Sequence, residues 1–320
     1  MNWKVFITAC VSAAIASFPQ NIIGCGPEAD PYDYYTSFFH QNLPDAKAYR
    51  PFYYTGYSFL YDASEPVSTS DLLAKEWAGY CSSPVTEADA KKLVTGFSVK
   101  DLNNLYYHIE KNQALKIPDS VKQNSMTDYF IKSKDLEALG YILYAKQAEP
   151  YVLGEYWQEM NRDSMKMAKL IRNGQQLYGA SKKDLFKQKY AYQFLRLAHY
   201  SGRYNDVISW YDEYAAKTTA NSVLQPLCLA LKAGALFRIG RQKEAAYLFS
   251  RSFSAGTAKR ISNYLGFKWS VDSKAQRKEY LDLCKNDEEK ATMLALFAMG
   301  SVNNELAGME EIFRLNPASE

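Results

Sequence analysis

Histidine and cysteine are the residues that most often bind metal ions or act as nucleophiles, and this chain has few of either. The three histidines lie far apart and form no H-x-x-x-H pair: His40, His108 and His199. Five cysteines are present, and no two of them form a C-x-x-C pair. The ligands of a structural zinc ion and the cysteines of a dense disulfide framework are spaced much more closely. The sequence therefore predicts no metal site.

Motifs that indicate catalysis are also missing from the sequence. The chain contains no glycine-rich phosphate loop and no G-x-S-x-G motif. Its adjacent acidic residues, such as Asp212-Glu213 and Glu310-Glu311, are typical of the solvated face of a helix. Two distant carboxylates of the glycosidase type would escape a search of this kind. We predict that the protein is not an enzyme and that it uses no cofactor.

Aromatic side chains are unusually frequent, at 15% of all residues, with 26 tyrosines and 16 phenylalanines. The densest group lies between residues 49 and 61 and follows neither a period of 2 nor a period of 3.6. We predict that these rings pack against neighbouring helices. The alternative is an exposed platform that stacks sugar rings, and its candidate members are Tyr49, Tyr53, Tyr54 and Tyr57.

The N-terminus has the pattern of an export signal. Lys4 precedes an apolar stretch from Val5 to Phe18 that contains no charged residue. A membrane-spanning helix needs about 20 apolar residues, so this stretch is short for that purpose. A basic start before a compact apolar segment is typical of a signal peptide, and we therefore expect the protein to be exported.

Two cleavage sites compete within this segment. Ala14 and Ala16 offer the small residues that simple secretion requires. The sequence IIGC, which ends at Cys25, resembles a bacterial lipobox, and the acidic segment 26–30 after it resembles that of exported lipoproteins of the Bacteroidetes type. This resemblance implies a signal peptide over residues 1–25, a lipid anchor on Cys25, and a location at the bacterial outer membrane or in the periplasm.

The overall charge and composition restrict the class of partner. The formal net charge is +3, with 47% hydrophobic and 23% charged residues, which are ordinary values for a folded protein. Nucleic-acid-binding proteins normally carry a concentrated basic stripe. We therefore predict no nucleic-acid partner, and contact with a membrane through the lipid anchor alone.

Helix signals follow the aromatic group. Capping residues at Ser70, Thr86 and Ser98 predict short helices, so we assign residues 26–125 to an aromatic-rich, partly irregular N-terminal region. From about residue 135 onward, apolar residues recur with a helical period between glycine and asparagine breaks. The predicted helices cover 135–149, 153–173, 182–200, 204–216, 224–239, 243–253, 288–299 and 304–315, with a further pair between 258 and 284.

Residues around Gly240 match the spacing of a tetratricopeptide helix-turn-helix. The small side chains of Ala233 and Ala245 allow two antiparallel helices to approach closely, and Gly240 forms the turn. A second unit turns at Gly202, and a weaker third unit turns at Gly300. These units resemble divergent tetratricopeptide-like repeats. The resemblance implies an all-α fold, built as a solenoid of antiparallel helix hairpins, over residues 126–320.

The spacing of the three turns is irregular. Gly240 lies 38 residues after Gly202, and Gly300 lies 60 residues after Gly240, whereas a regular array repeats about every 34 residues. We therefore predict an extra helix pair between the second and third hairpins. Asn316-Pro317 has the form of a helix start, so we also expect either a longer array or a partner that covers this end.

A helical-repeat surface without catalytic motifs indicates a binding function. We predict an envelope-associated scaffold that holds a protein or peptide partner on the concave face of its hairpins. The alternative is a glycan-binding outer-membrane lipoprotein that uses the aromatic group at residues 49–61 as its platform. Exposure of those rings would distinguish the two.

Overall fold

The computed structural model describes residues 68–82, 84–153, 163–256, 258–272, 276–299 and 305–317. Within these ranges the chain forms fifteen α-helices and no β-strand, which confirms the predicted all-α class. Several predicted site residues lie outside the described ranges, among them the lipid-anchor cysteine, the four candidate ligand tyrosines and the third turn glycine: Cys25, Tyr49, Tyr53, Tyr54, Tyr57 and Gly300.

The first six helices are short or medium in length. They are α1 (Thr69–Cys81), α2 (Glu87–Lys91), α3 (Val99–Lys111), α4 (Asp119–Lys122), α5 (Ser125–Ser133) and α6 (Leu136–Val152). A π-helical turn, Lys92–Gly96, continues α2. As the sequence predicts, the side chains of Thr86 and Ser98 accept hydrogen bonds from the backbone of Asp89 and Asp101 and so cap α2 and α3. The predicted cap at Ser70 is wrong, because α1 already begins at Thr69 and Ser70 lies inside it.

The remaining helices follow one another through short connections. They are α7 (Ser164–Ala180), α8 (Asp184–Tyr200), α9 (Tyr204–Glu213), α10 (Leu224–Arg238), α11 (Gln242–Ala255), α12 (Arg260–Ser270), α13 (Arg277–Leu281), α14 (Asp287–Ala298) and α15 (Glu305–Leu315). One 3₁₀ turn, Ala215–Lys217, follows α9. α12 and α13 are the helix pair predicted between residues 258 and 284.

The predicted helix over residues 153–173 is wrong at both ends. Leu153 is extended and ends α6, and α7 begins after Asp163, whose side chain accepts from the backbone N–H of Lys166. The helix then runs through Gly174 to Ala180. Gly174 does not break this helix. It lies against the hydroxyl group of Tyr144, which a β-carbon would overlap, so the packing requires glycine at this position. Tertiary packing thus outweighs the low helix propensity of glycine.

From α6 onward, most helices pack against the helices next to them in the chain. α8 packs against α6, α7, α9 and α10, and α10 packs against α8, α9, α11 and α12. α11 also contacts α13 and α14, and α14 contacts α15. The largest buried cluster extends from Trp77 to Ala235 and includes residues on both sides of position 125, and a second cluster extends from Ala233 to Leu296.

A buried ion pair joins α1 to α8 within the first cluster. The side chain of Lys189 is only 1% exposed, and its ammonium donates to the carboxylate of Glu76. The same ammonium lies 4.6 Å from the ring centroid of Trp77. The other carboxylate oxygen of Glu76 accepts from the backbone N–H of Val223 at 3.0 Å, just before α10. Burial lowers the pKa of Lys189, and the charge of Glu76 opposes that shift.

We predict that Glu76→Gln lowers the free energy of unfolding by about 3 kcal/mol, because it leaves the Lys189 ammonium buried without an opposite charge. The double variant Glu76→Gln/Lys189→Met should be more stable than Glu76→Gln alone, since no charge then remains to be buried. Urea unfolding followed by circular dichroism measures both values.

The exposed pair between Asp71 and Lys91 supplies the control for this prediction. Asp71→Asn should change the free energy of unfolding by no more than about 0.5 kcal/mol, because water already screens that pair. Equal losses of unfolding free energy in Glu76→Gln and Asp71→Asn would show that the buried Lys189–Glu76 pair contributes no more to stability than the exposed pair.

Candidate functional site

Gly202 and Gly240 end α8 and α10 with the same turn. Both glycines have left-handed backbone angles, with φ of 80° and 82°. The residue after each glycine donates its N–H to a helix carbonyl five positions earlier, Arg203 to Ala198 and Arg241 to Leu236, each at 2.9 Å. This pattern is a Schellman motif, in which the glycine adopts a conformation that other residues adopt only at a cost in free energy.

The resemblance between the two turns continues beyond the glycine. Arg203 and Arg241 have nearly the same backbone angles, with φ and ψ of −82° and 57° in the first and −86° and 61° in the second. Each arginine forms an ion pair with the acidic residue three positions later, Asp206 at 2.6 Å and Glu244 at 2.5 Å. Sequence reasoning identified the glycines but missed the acidic partners, whose constant spacing was the available signal.

The two small residues predicted between the helices of the hairpin at Gly240 are buried. Ala233 and Ala245 are both 0% exposed and belong to the same cluster between α10 and α11. Phe249 of α11 reaches Gly266 of α12, where a β-carbon would overlap its ring. Small residues therefore allow close contact both within this hairpin and between it and the next helix.

We predict that Gly202→Ala and Gly240→Ala each lower the free energy of unfolding by about 1 kcal/mol. A β-carbon meets nothing within 4 Å at either position, so the loss comes from backbone conformation alone. Gly79→Ala in α1 is the matched control, since it is equally uncrowded. Without a positive φ, it should stabilise the protein by about 0.5–1 kcal/mol. If Gly240→Ala also stabilises, the turn geometry is wrong.

His199 lies where α8 meets α10. Its ring faces Gly234, where a β-carbon would come within 2.9 Å of Cε1. Nδ1 of His199 is buried, and it has no hydrogen-bond partner in the described part of the chain. Burial, and then the charge of Arg238, lower the pKa of His199 to about 4, although a hydrogen bond with the backbone of Leu231 partly opposes them.

The free energy of unfolding should therefore decrease as the pH is lowered and His199 takes up a proton. Its folded-state pKa of about 4 lies below the ordinary value of 6.5, so the proton binds the unfolded chain more tightly. This contribution is fully present above about pH 6.5 and is lost as the pH falls to about 4, by at most about 3 kcal/mol.

Unfolding free energies measured between pH 4 and pH 7.5 check this prediction. The variant His199→Gln should remove most of the pH dependence in that window. The variant His108→Gln, which replaces a histidine on α3 whose Nδ1 bonds the Gln113 carbonyl at 2.6 Å, serves as the comparison. Identical pH profiles for wild type and His199→Gln would contradict the assignment to His199.

A groove of about 290 Å³ opens between α3, α6 and α7. Its lining side chains are either apolar or polar and uncharged. Besides Tyr144, five of them carry polar groups: Asn103, Tyr106, Tyr107, Gln147 and Asn173. Within the ranges that the structure describes, none of these five side chains forms a hydrogen bond to the protein. Their hydrogen-bonding groups are therefore available to solvent or to a ligand.

The floor of this groove is fixed by packing. Tyr144 is only 4% exposed and donates its hydroxyl to the carbonyl of Leu170 at 2.9 Å. Gly174 on α7 leaves room for that hydroxyl, and Gly140 on α6 lies beneath the ring of Tyr106. The close approach of Gly174 to a tyrosine tied by its own hydrogen bond thus fixes the contact between α6 and α7 on which the groove rests.

The described residues show neither a metal cluster nor a membrane span. No group of three or more histidine, cysteine, aspartate or glutamate side chains in these ranges is placed to hold a metal ion. None of the described helices is long and apolar enough to cross a bilayer. Cys81 and Cys228 are buried and unpaired, and burial raises the pKa of both thiols, to about 12 for Cys81.

Comparison with known proteins gives no relative. No protein-family model matches this chain, and neither a curated protein nor a solved structure is significantly similar to it. The hairpins and the groove are therefore the features from which a function can be inferred.

Proposed function

We propose that this protein is a non-catalytic scaffold of the bacterial envelope, and that its helix hairpins bind a protein partner. The proposal rests on the twin turns at Gly202 and Gly240, which share backbone angles, hydrogen bonds and the following arginine–acid pair. Successive units that share one turn geometry are a feature of repeat proteins. Stacked repeats bury a continuous core and leave an extended face for a partner.

The helix contacts support this proposal. α10 packs against both helices of the preceding hairpin and against α12 beyond its own partner. Contacts of this kind, in which each unit mainly touches the next, are typical of a tetratricopeptide-like solenoid. α12 and α13 lie between the hairpin at Gly240 and α14, which agrees with an inserted helix pair. On this proposal α8–α9 and α10–α11 are two consecutive units of a divergent array.

The envelope location is supported by the N-terminal sequence pattern. The apolar segment 5–18 and the lipobox-like sequence before Cys25 are the features that favour export and a lipid anchor. Metabolic fatty-acid labelling tests this part of the proposal. Label should enter the full-length protein and should be absent from the variant Cys25→Ser, and an unlabelled wild type would remove the anchor.

Site-specific crosslinking in intact cells tests the scaffold itself. A photoreactive residue at Ser209 on α9 or at Gln225 on α10, both exposed, should form a crosslink to one discrete protein. The same residue at exposed Lys132 on α5 is the control and should give no such product. The purified partner should then bind the full-length chain saturably. Equal products at all three positions, or no product at either hairpin, would overturn the proposal.

A further inference from the structure

We propose that the groove between α3, α6 and α7 binds a neutral saccharide of one or two rings. This site lies outside the two hairpins at Gly202 and Gly240, and it does not depend on their proposed function. The inference rests on the size of the groove, on its exposed aromatic rings, and on its uncharged amide side chains.

The size of the groove favours a small ligand. Its volume of about 290 Å³ lies near the lower end of the roughly 300–1,000 Å³ that small-molecule sites occupy. A stable protein partner would instead cover about 800 Å² of surface on each side. The groove is therefore suited to one or two sugar rings and too small to account for binding of a folded protein.

Two tyrosine rings supply the apolar surface that a sugar needs. Tyr107 is 41% exposed, and Tyr106 lies beside it with ring centroids 5.9 Å apart and planes at 89°. The ammonium of Lys111 lies 4.7 Å from the ring centroid of Tyr107 and covers part of one face of that ring. The C–H face of a pyranose packs well against an aromatic ring, because both surfaces are flat and weakly polar.

Three amide side chains supply polar groups of a matching kind. Asn103, Gln147 and Asn173 come from three different helices and line the same groove. A planar amide presents a donor and an acceptor side by side, and a sugar hydroxyl also donates and accepts. The lining itself contains no charged side chain, and the ammonium of Lys111 beside Tyr107 is already paired with Glu110 at 3.8 Å. A neutral, hydroxyl-rich ligand satisfies these groups best.

The groove also needs no rearrangement to accept such a ligand. Tyr144 is held by its hydrogen bond to Leu170, and Gly174 permits the close contact of α7 with its hydroxyl group. A preformed site loses less conformational entropy on binding than a flexible one does. Binding should therefore depend on the groove side chains themselves, and single substitutions there should weaken it.

Calorimetric titration of the full-length protein against a panel of neutral mono- and disaccharides tests the proposal. At least one neutral saccharide should bind saturably with a stoichiometry of one. A uronic-acid disaccharide and an uncharged tripeptide complete the panel and should bind more weakly. If no neutral saccharide binds, the proposal is wrong. If the tripeptide binds more tightly than every saccharide, the groove is a peptide site instead.

Substitutions in the groove locate the site. Asn103→Ala should weaken binding by about tenfold, because it removes a hydrogen-bonding side chain. Asn104→Ala is the matched control, since Asn104 bonds to the carbonyl of Lys100 on the same helix. Tyr107→Ala should weaken binding, whereas Tyr107→Phe should keep most of it because the ring remains. Unfolding curves confirm that each variant is folded, and unchanged affinity in Asn103→Ala and Tyr107→Ala would place the saccharide elsewhere.

Discussion

The ion pair between Lys189 and Glu76 is the contact on which the packing of the first cluster depends. A buried ammonium is destabilising unless a carboxylate lies beside it, so α1 must remain against α8 when the core closes. The ring of Trp77 on α1 packs against the Lys189 ammonium. The backbone N–H of Val223, just before α10, donates to the Glu76 carboxylate. Lys189 and Val223 lie 113 and 147 residues after Glu76 in the chain. One buried charge thus sets the relative positions of three helices.

Glycine has a second structural role in this chain besides the turns. Three helical glycines lie directly against an aromatic or imidazole ring of a neighbouring helix, and the pairs are Gly174 with Tyr144, Gly234 with His199, and Gly266 with Phe249. A side chain at any of these positions would crowd the ring, so close helix contact requires glycine there. Two of these contacts join successive helices, α6 with α7 and α11 with α12, and the third joins α8 to α10. They explain why glycine lies in the middle of helices.

The abundance of tyrosine has a related cause. Tyr144, Tyr178 and Tyr264 each bury a ring between helices and donate the hydroxyl to a backbone carbonyl of another segment. Such a side chain gives the area of an aromatic residue and a fixed hydrogen bond as well. Tyr106 and Tyr107 differ, since their hydroxyls bond to no other described residue. This difference distinguishes the tyrosine hydroxyls that tie helices together from those that bond to no described residue.

The sequence by itself determined the helical class and most of the helices, the caps at Thr86 and Ser98, and the hairpin turns at Gly202 and Gly240. Each of these features is set by hydrogen bonds and backbone angles among residues a few positions apart, so local pattern suffices. Only the tertiary structure decided that α7 passes through Gly174, or that three helices form an uncharged groove. Those outcomes depend on which side chains meet across distant segments, and no local period records that information.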